Sequence, residues 1–280
     1  MTLDQLPPLR DQLDAHGLIA KKTFGQHFLL DLNITRKIAR LAGPLDGVRV
    51  IEVGPGPGGL TRALLEAGAR VLAVEKDARF LPLLEELAQV AEGRLTVIEG
   101  DALAVDQAAQ VEALDGAGAS YRVVANLPYN VGTPLLINWL TQPAPPELMA
   151  LMFQKEVADR IAAPVGAEAY GRLSVIAQAV CQAAVIMDLP ARAFTPPPKV
   201  ASAVVRLTPL ADRPLAAELT ALETVTGAAF GQRRKMLRSS LKTLGGEALC
   251  ERAGIEPDRR AETVPVEGFR ALTRALLAAG

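Results

Sequence analysis

The chain has 280 residues, with 30 Lys+Arg against 31 Asp+Glu for a formal net charge of −1, and half of it is hydrophobic. At about 150 residues per domain, this length suits one large domain and a smaller one. The apolar half and a mean hydropathy of +0.21 exclude a disordered polymer. The balanced charge excludes a highly basic nucleic-acid coat, while leaving room for local basic patches.

Only 4% of residues are aromatic, which fits helices packed on a buried parallel sheet better than an aromatic-rich sandwich. Cys181 and Cys250 lie far apart with no CxxC partner, so buried reduced thiols in a cytoplasmic protein are expected, with no metal. The opening MTLDQLPPLRDQLDAHG has no continuous apolar region, and no run of ~20 apolar residues follows. Neither a signal peptide nor a membrane partner is expected.

In chain order, residues 1–47 read as a helical lead-in. Leu32, Ile34, Ile38 and Leu41 recur near helical spacing and stop at Gly43-Pro44. VRVIEV (48–53) is then a buried strand, followed by a helix over 58–67. ARVLAVE (69–75) is the second strand, with a helix over 77–91. RLTVIEG (94–100), YRVVANL (121–127) and ELMALMFQ (147–154) are the third, fourth and fifth strands. Helices over 155–163 and 170–181 lead to AAVIMDLP and VASAVVRL, two strand-like runs that flank AFTPPPK. Its prolines forbid helix, so the pair reads as a hairpin at one sheet edge. The pattern is an α/β fold: a doubly wound, mostly parallel seven-stranded sheet over 1–208, followed by a small all-helical domain over 209–280.

The sharpest local signal is VIEVGPGPGGLT at a strand-to-helix turn. Gly54, Gly56 and Gly59 satisfy G-x-G-x-x-G, and Glu75 lies 21 residues after Gly54 at the end of the second strand. Such glycines let backbone approach a ligand, and the acid can accept both ribose hydroxyls. A dinucleotide and S-adenosylmethionine both present that adenosine, and a bare structural corner would also use glycine. Asp101, with Ala102 behind it, adds a carboxylate at the third strand's end. There it could accept an adenine amino group, which favours S-adenosylmethionine, or simply cap a helix.

The fourth strand ends in Asn126-Leu127-Pro128-Tyr129, at the same sheet edge. An exocyclic adenine amine is a poor nucleophile because its lone pair is delocalised into the ring. Two acceptors facing its hydrogens would favour the tetrahedral nitrogen that forms as a methyl arrives. The Asn126 side-chain oxygen and the Pro128 carbonyl are such a pair, and Tyr129 offers a face for stacking a base. No strong general base is needed, because the amine acidifies as it becomes positively charged.

TFGQHFL (23–29), IEVGPGPGGLT (51–61), NLPYN (126–130) and FTPPPKVASAVVRL (194–207) together resemble the bacterial small-subunit ribosomal RNA adenine dimethyltransferases. The resemblance implies a Rossmann-like methyltransferase sheet that dimethylates N6 of two adjacent adenosines in the 3′-terminal hairpin of 16S rRNA. S-adenosylmethionine would be the donor and S-adenosylhomocysteine the product. The substrate would be 16S rRNA in an immature small ribosomal subunit, and the enzyme a monomer. It further implies a cofactor site of His27, Leu29, Gly54, Glu75, Asp101 and Asn126. Many members carry Asn where this chain has His27; an imidazole can still make one hydrogen bond there. Phe194, otherwise an ordinary core residue, is implied to sandwich the target adenine against Tyr129.

Within GQRRKMLRSSLK (231–242) stand Arg233, Arg234, Lys235, Arg238 and Lys242 and no acid. At helical spacing, Arg234, Lys235, Arg238 and Lys242 share a face that could track an RNA backbone, although such a face can also be merely solvated. Lys21, Lys22, Arg36 and Lys37 could add a second patch. Competing readings are a non-catalytic ribosome-assembly or transcription factor, an NAD-dependent dehydrogenase, and a 23S rRNA or DNA adenine methyltransferase.

Overall fold

The computed structural model of the chain describes residues 2–18 and 26–279. Helices α1 (Leu9–Ala15) and α2 (Leu32–Leu41) precede the sheet, and Asp31 caps α2 by accepting from the Asn33 N–H. Strands β1 (Arg49–Val53) and β2 (Arg70–Glu75) follow, separated by α3 (Gly59–Glu66). Then come α4 (Leu81–Val90), β3 (Leu95–Glu99), α5 (Gln107–Asp115), β4 (Arg122–Asn126), α6 (Gly132–Thr141) and β5 (Leu148–Gln154). Helices α7 (Lys155–Ile161) and α8 (Arg172–Val180) lead to β6 (Cys181–Leu189) and β7 (Ser202–Pro209). The rest is α9 (Ala216–Gly231), α10 (Leu237–Ser240), α11 (Gly246–Arg252) and α12 (Val266–Leu277).

The seven strands form one sheet in the order β3-β2-β1-β4-β5-β7-β6, and β6 and β7 are neighbours at its edge as their sequence pattern predicts. Pairs β1–β2, β2–β3, β1–β4 and β4–β5 are parallel. Strand order reverses between β1 and β4, which opens a crevice beyond their carboxyl ends. Register brings the ligand motifs to that edge: Val53 lies opposite Val74, and Glu75 opposite Glu99. Val50, Val71, Ala73 and Val124 share a buried cluster with Leu60, Leu64 and Leu65 of α3 and Ile38 of α2. β1 is buried throughout, which is why its sequence shows no polar alternation. At the far edge Asp115 accepts from Arg49 at 2.6 and 2.8 Å and from Arg70 at 2.6 Å, pairing the buried charge at the strand starts.

The chain divides into two compact units: residues 1–136, 146–155 and 185–206, and residues 137–145, 156–184 and 207–280. The longest segment of the second unit opens beside the expected boundary at 208/209. Its two earlier segments fall between stretches of the first unit in the sequence, a division that one cut cannot express. In the second unit Tyr170, Leu222, Val225, Leu237, Leu249, Phe269 and Leu272 pack together. The Tyr170 hydroxyl donates to the Val264 carbonyl at 2.9 Å. No helix of the described residues is long and apolar enough to cross a membrane.

Candidate active site

The crevice holds a cavity of about 240 Å³ built from the strap 26–29, the turn after β1, the ends of β2 and β3, and residues 126–131. All eight residues expected at the cofactor line it: His27, Leu29, Gly54, Gly56, Glu75, Asp101, Ala102 and Asn126. The glycine turn is required by close approaches. Gly56 has φ +53°, and its N–H donates to Glu75 Oε2 at 2.9 Å. A Cβ at Gly59 would stand 2.6 Å from the Leu29 carbonyl oxygen, so only glycine lets the strap lie against the start of α3.

Glu75 is buried and takes a second backbone donor, the Asp77 N–H, at 2.8 Å on Oε1. Burial pushes its carboxyl above the ordinary range, and the two N–H bonds act against that. Asp101 caps a turn and also stands at the cavity wall. Its Oδ1 accepts the Leu103 N–H at 3.0 Å as a turn cap, and Oδ2 accepts Lys76 Nζ at 2.7 Å beside the cavity. Lys76 holds the Asp101 carboxyl below its ordinary range. The strap is tied down by Gln26, whose Nε2 donates to Asp77 Oδ2 at 2.8 Å, and by paired backbone bonds between Phe28 and Thr195.

Glu52 also lines the cavity and belongs to none of the expected residues. It is 1% exposed beneath α3 and accepts the Thr61 hydroxyl at 2.7 Å. The signal was in the sequence: an acid set between the apolar Ile51 and Val53 in the strand run VRVIEV. Burial, aided by the nearby Glu75, raises its carboxyl from 4.5 to about 8. The unfolded chain therefore loses this proton above 4.5, whereas the folded chain keeps it up to about 8. Between those values stability falls as pH rises, by up to about 1.4 kcal/mol per pH unit from this group. Urea unfolding across that window should show a flatter slope for Glu52→Gln, whose amide oxygen still accepts from Thr61. An unchanged slope would mean that the native Glu52 is already ionised.

Asn126 ends β4 with its Nδ2 donating to the His27 carbonyl at 3.1 Å, which leaves Oδ1 as the atom able to accept. Pro128 differs from expectation. Its carbonyl already accepts the Val131 and Gly132 N–H groups, each at 3.1 Å, because the chain turns there into α6. These two bonds make it the weaker acceptor, and Asn126 Oδ1 is the acceptor with no bond of its own among the described residues. Tyr129 shares a 2.7 Å hydrogen bond with Ser202 Oγ, and its ring lies 5.5 Å from that of His27 at an interplanar angle of 30°. His27 Nδ1 donates to the Pro196 carbonyl at 2.8 Å, which fixes the proton on that nitrogen.

Phe194 is a correction. It is 3% exposed, packs with Leu29, Leu189 and Val204, and is absent from the cavity lining. The prolines do keep its segment out of a helix, but the neighbouring Thr195 pairs with Phe28, and the ring is buried in the core.

The basic segment is a second correction. Helix α9 stops at Gly231, Arg233, Arg234 and Lys235 occupy turns, and α10 spans only four residues, so no continuous helical face aligns them. Met236 instead pairs with Arg260 in an isolated antiparallel bridge that lays a second basic pair, Arg259-Arg260, alongside. Arg238 is paired with Asp258 at 2.8 Å, and Arg233 donates to the Glu168 carbonyl at 2.8 Å. Arg234 and Lys235 are exposed, as is Lys242 beyond α10. Arg36 is held by Glu66 at 2.6 and 3.0 Å. Lys21 and Lys22 lie outside the described residues.

The chain is 67% identical over 278 residues to a protein of Phenylobacterium zucineum named ribosomal RNA small subunit methyltransferase A, covering 99% of this chain and 95% of that one. It is 68% identical over 259 residues to the protein of that name in Caulobacter vibrioides, covering 92% and 98%. Among solved structures, a 23S rRNA methyltransferase, ErmE, superposes with a TM-score of 0.66 at 26% identity, covering 89% of this chain and 99% of that one. A dimethyladenosine transferase from Plasmodium falciparum shares the fold, with a TM-score of 0.71 at 24% identity over 88% of this chain and 96% of that one. The model of a single family, described as ribosomal RNA adenine dimethylase, matches residues 17–276, and the chain belongs to that family.

Proposed function

We propose that this chain dimethylates N6 of two adjacent adenosines in the 3′-terminal hairpin of 16S rRNA, using S-adenosylmethionine, on an immature small ribosomal subunit in the cytoplasm. Family membership and the name shared by relatives at 67% and 68% identity favour this reading over the dehydrogenase and the non-catalytic factor. The observation that carries the chemistry is the Asn126 amide, whose nitrogen is bound to His27 and whose oxygen is left free at the cavity.

The residues present suit the donor. Glu75 and Asp101 are acceptors spaced along the strand ends for a ribose and an adenine amine. Gly54 and Gly56 let backbone lie close to it. S-adenosylmethionine, when bound, supplies an electrophilic methyl group. The protein's part is orientation and preorganised polarity. Asn126 Oδ1 accepts a hydrogen of the target amine, drawing its lone pair out of the ring, and the Tyr129 face holds the base. The amine's proton leaves after it has become acidic, so water suffices as base. Arg234, Lys235 and Lys242, exposed within a helical RNA- and ribosome-binding region over 209–280, contact phosphates in a shape-led recognition. The enzyme acts as a monomer.

Mapping modified bases in rRNA from cells with and without this protein tests the reading. Loss of two adjacent dimethyladenosines near the 16S 3′ end is expected. An unchanged 16S pattern, or loss at a 23S position, would reject it.

A further inference from the structure

We propose that Ser202 is a positioning residue whose buried hydroxyl holds the Tyr129 ring in the plane on which the target adenine stacks. The inference rests on the adenine-methylating role given above for the Tyr129 turn, and it adds a residue from a different part of the sheet.

Ser202 opens β7, is fully buried, and is followed by Ala203, Val204 and Val205, all buried and apolar. A hydroxyl in such a run is unfavourable unless it is hydrogen-bonded. Its partner is the Tyr129 hydroxyl at 2.7 Å, which reaches across from the turn after β4. Two torsions set a tyrosine ring, and this bond anchors the far end of the side chain. Partial burial also pushes the phenol up, which keeps it neutral and able to share the proton.

The ring's other neighbour is fixed as well. His27 stands 5.5 Å away, tied to the Pro196 carbonyl through Nδ1 and to Asn126 through its own carbonyl oxygen. The stacking face and the Asn126 acceptor therefore belong to one hydrogen-bonded frame. A ring already held in place loses less freedom when a base docks on it, so the gain falls on the reaction step and not on cofactor binding.

The test is a double-variant cycle on unmethylated small subunits, with cofactor affinity measured separately. Ser202→Ala and Tyr129→Phe should each lower kcat/KM about 3- to 10-fold, the weight of one hydrogen bond. The dissociation constant for S-adenosylmethionine should stay unchanged. The double variant should lose no more than the weaker single variant, because both substitutions break the same bond. Ser202→Thr, which restores a hydroxyl on a strand-compatible side chain, should recover most of the loss. Tyr129→Phe leaves β7 intact and probes the bond even if Ser202→Ala folds poorly. Losses that multiply in the double variant, or full activity in either single variant, overturn the proposal. Full activity in Tyr129→Ala would reject the stacking role itself, a failure distinguishable from additive losses in the cycle.

Discussion

Asn126→Ala is expected to lower turnover about 10²- to 10³-fold, the cost of removing one preorganised group that stabilises developing charge. The structure concentrates that role on one atom. A pair of acceptors, Asn126 and the Pro128 carbonyl, is the simplest reading of N-L-P-Y, but the Pro128 carbonyl is occupied by two N–H groups at the start of α6. The Asn126 amide is oriented by its 3.1 Å donation to the His27 carbonyl, so its oxygen needs no reorganisation when the amine arrives. Single-turnover methylation with saturating cofactor isolates this step. Asn126→Asp keeps an acceptor and loses the donation to His27, so it should be less impaired than Asn126→Ala. Near-normal turnover in Asn126→Ala would remove Asn126 from the chemistry.

The second large effect is on binding. Glu75→Ala should weaken S-adenosylmethionine binding by about 1.5–3 kcal/mol, the range for hydrogen bonds to a charged group. Two causes act together. The ribose loses its acceptor, and the Gly56 and Asp77 N–H groups, now at 2.9 and 2.8 Å from the carboxylate, lose theirs. Glu75→Gln separates the causes only in part, because its NH₂ would face one of those N–H groups. Since burial raises the Glu75 pKa, binding that needs the ionised form should weaken on acidification at higher pH than for an exposed glutamate. Calorimetric titration across pH measures both effects, and an unchanged dissociation constant in Glu75→Ala would refute the ribose assignment.

Elements governed by local pattern were legible in the sequence. VRVIEV and ARVLAVE are buried strands because helices cover them, and the glycine turn announces itself because Gly56 and Gly59 stand where a side chain could not. What depends on distant partners was not legible. The prolines around Phe194 predict an extended loop correctly, but the pairing of Thr195 with Phe28 decides that the ring is buried. The basic run 231–242 lacks acids in sequence, yet folding brings Asp258 to Arg238 and splits the run at Met236. Helix α6, which occupies the Pro128 carbonyl, was hidden because Gly132, Thr133 and Pro134 open it and read as a continuing loop. The overall charge of −1 is thus an average over separated groups. Glu75 and Asp101 sit in the cavity wall, while Arg234 and Lys235 stand exposed in a turn of the second unit.

The most direct measurement incubates the purified protein with small ribosomal subunits lacking the two dimethyladenosines and with methyl-labelled S-adenosylmethionine, then maps the label. The account predicts N6,N6-dimethyladenosine at two adjacent positions in the 3′-terminal hairpin of 16S rRNA. Label in cytosine, in 23S rRNA or in protein, or no transfer at all, would contradict it.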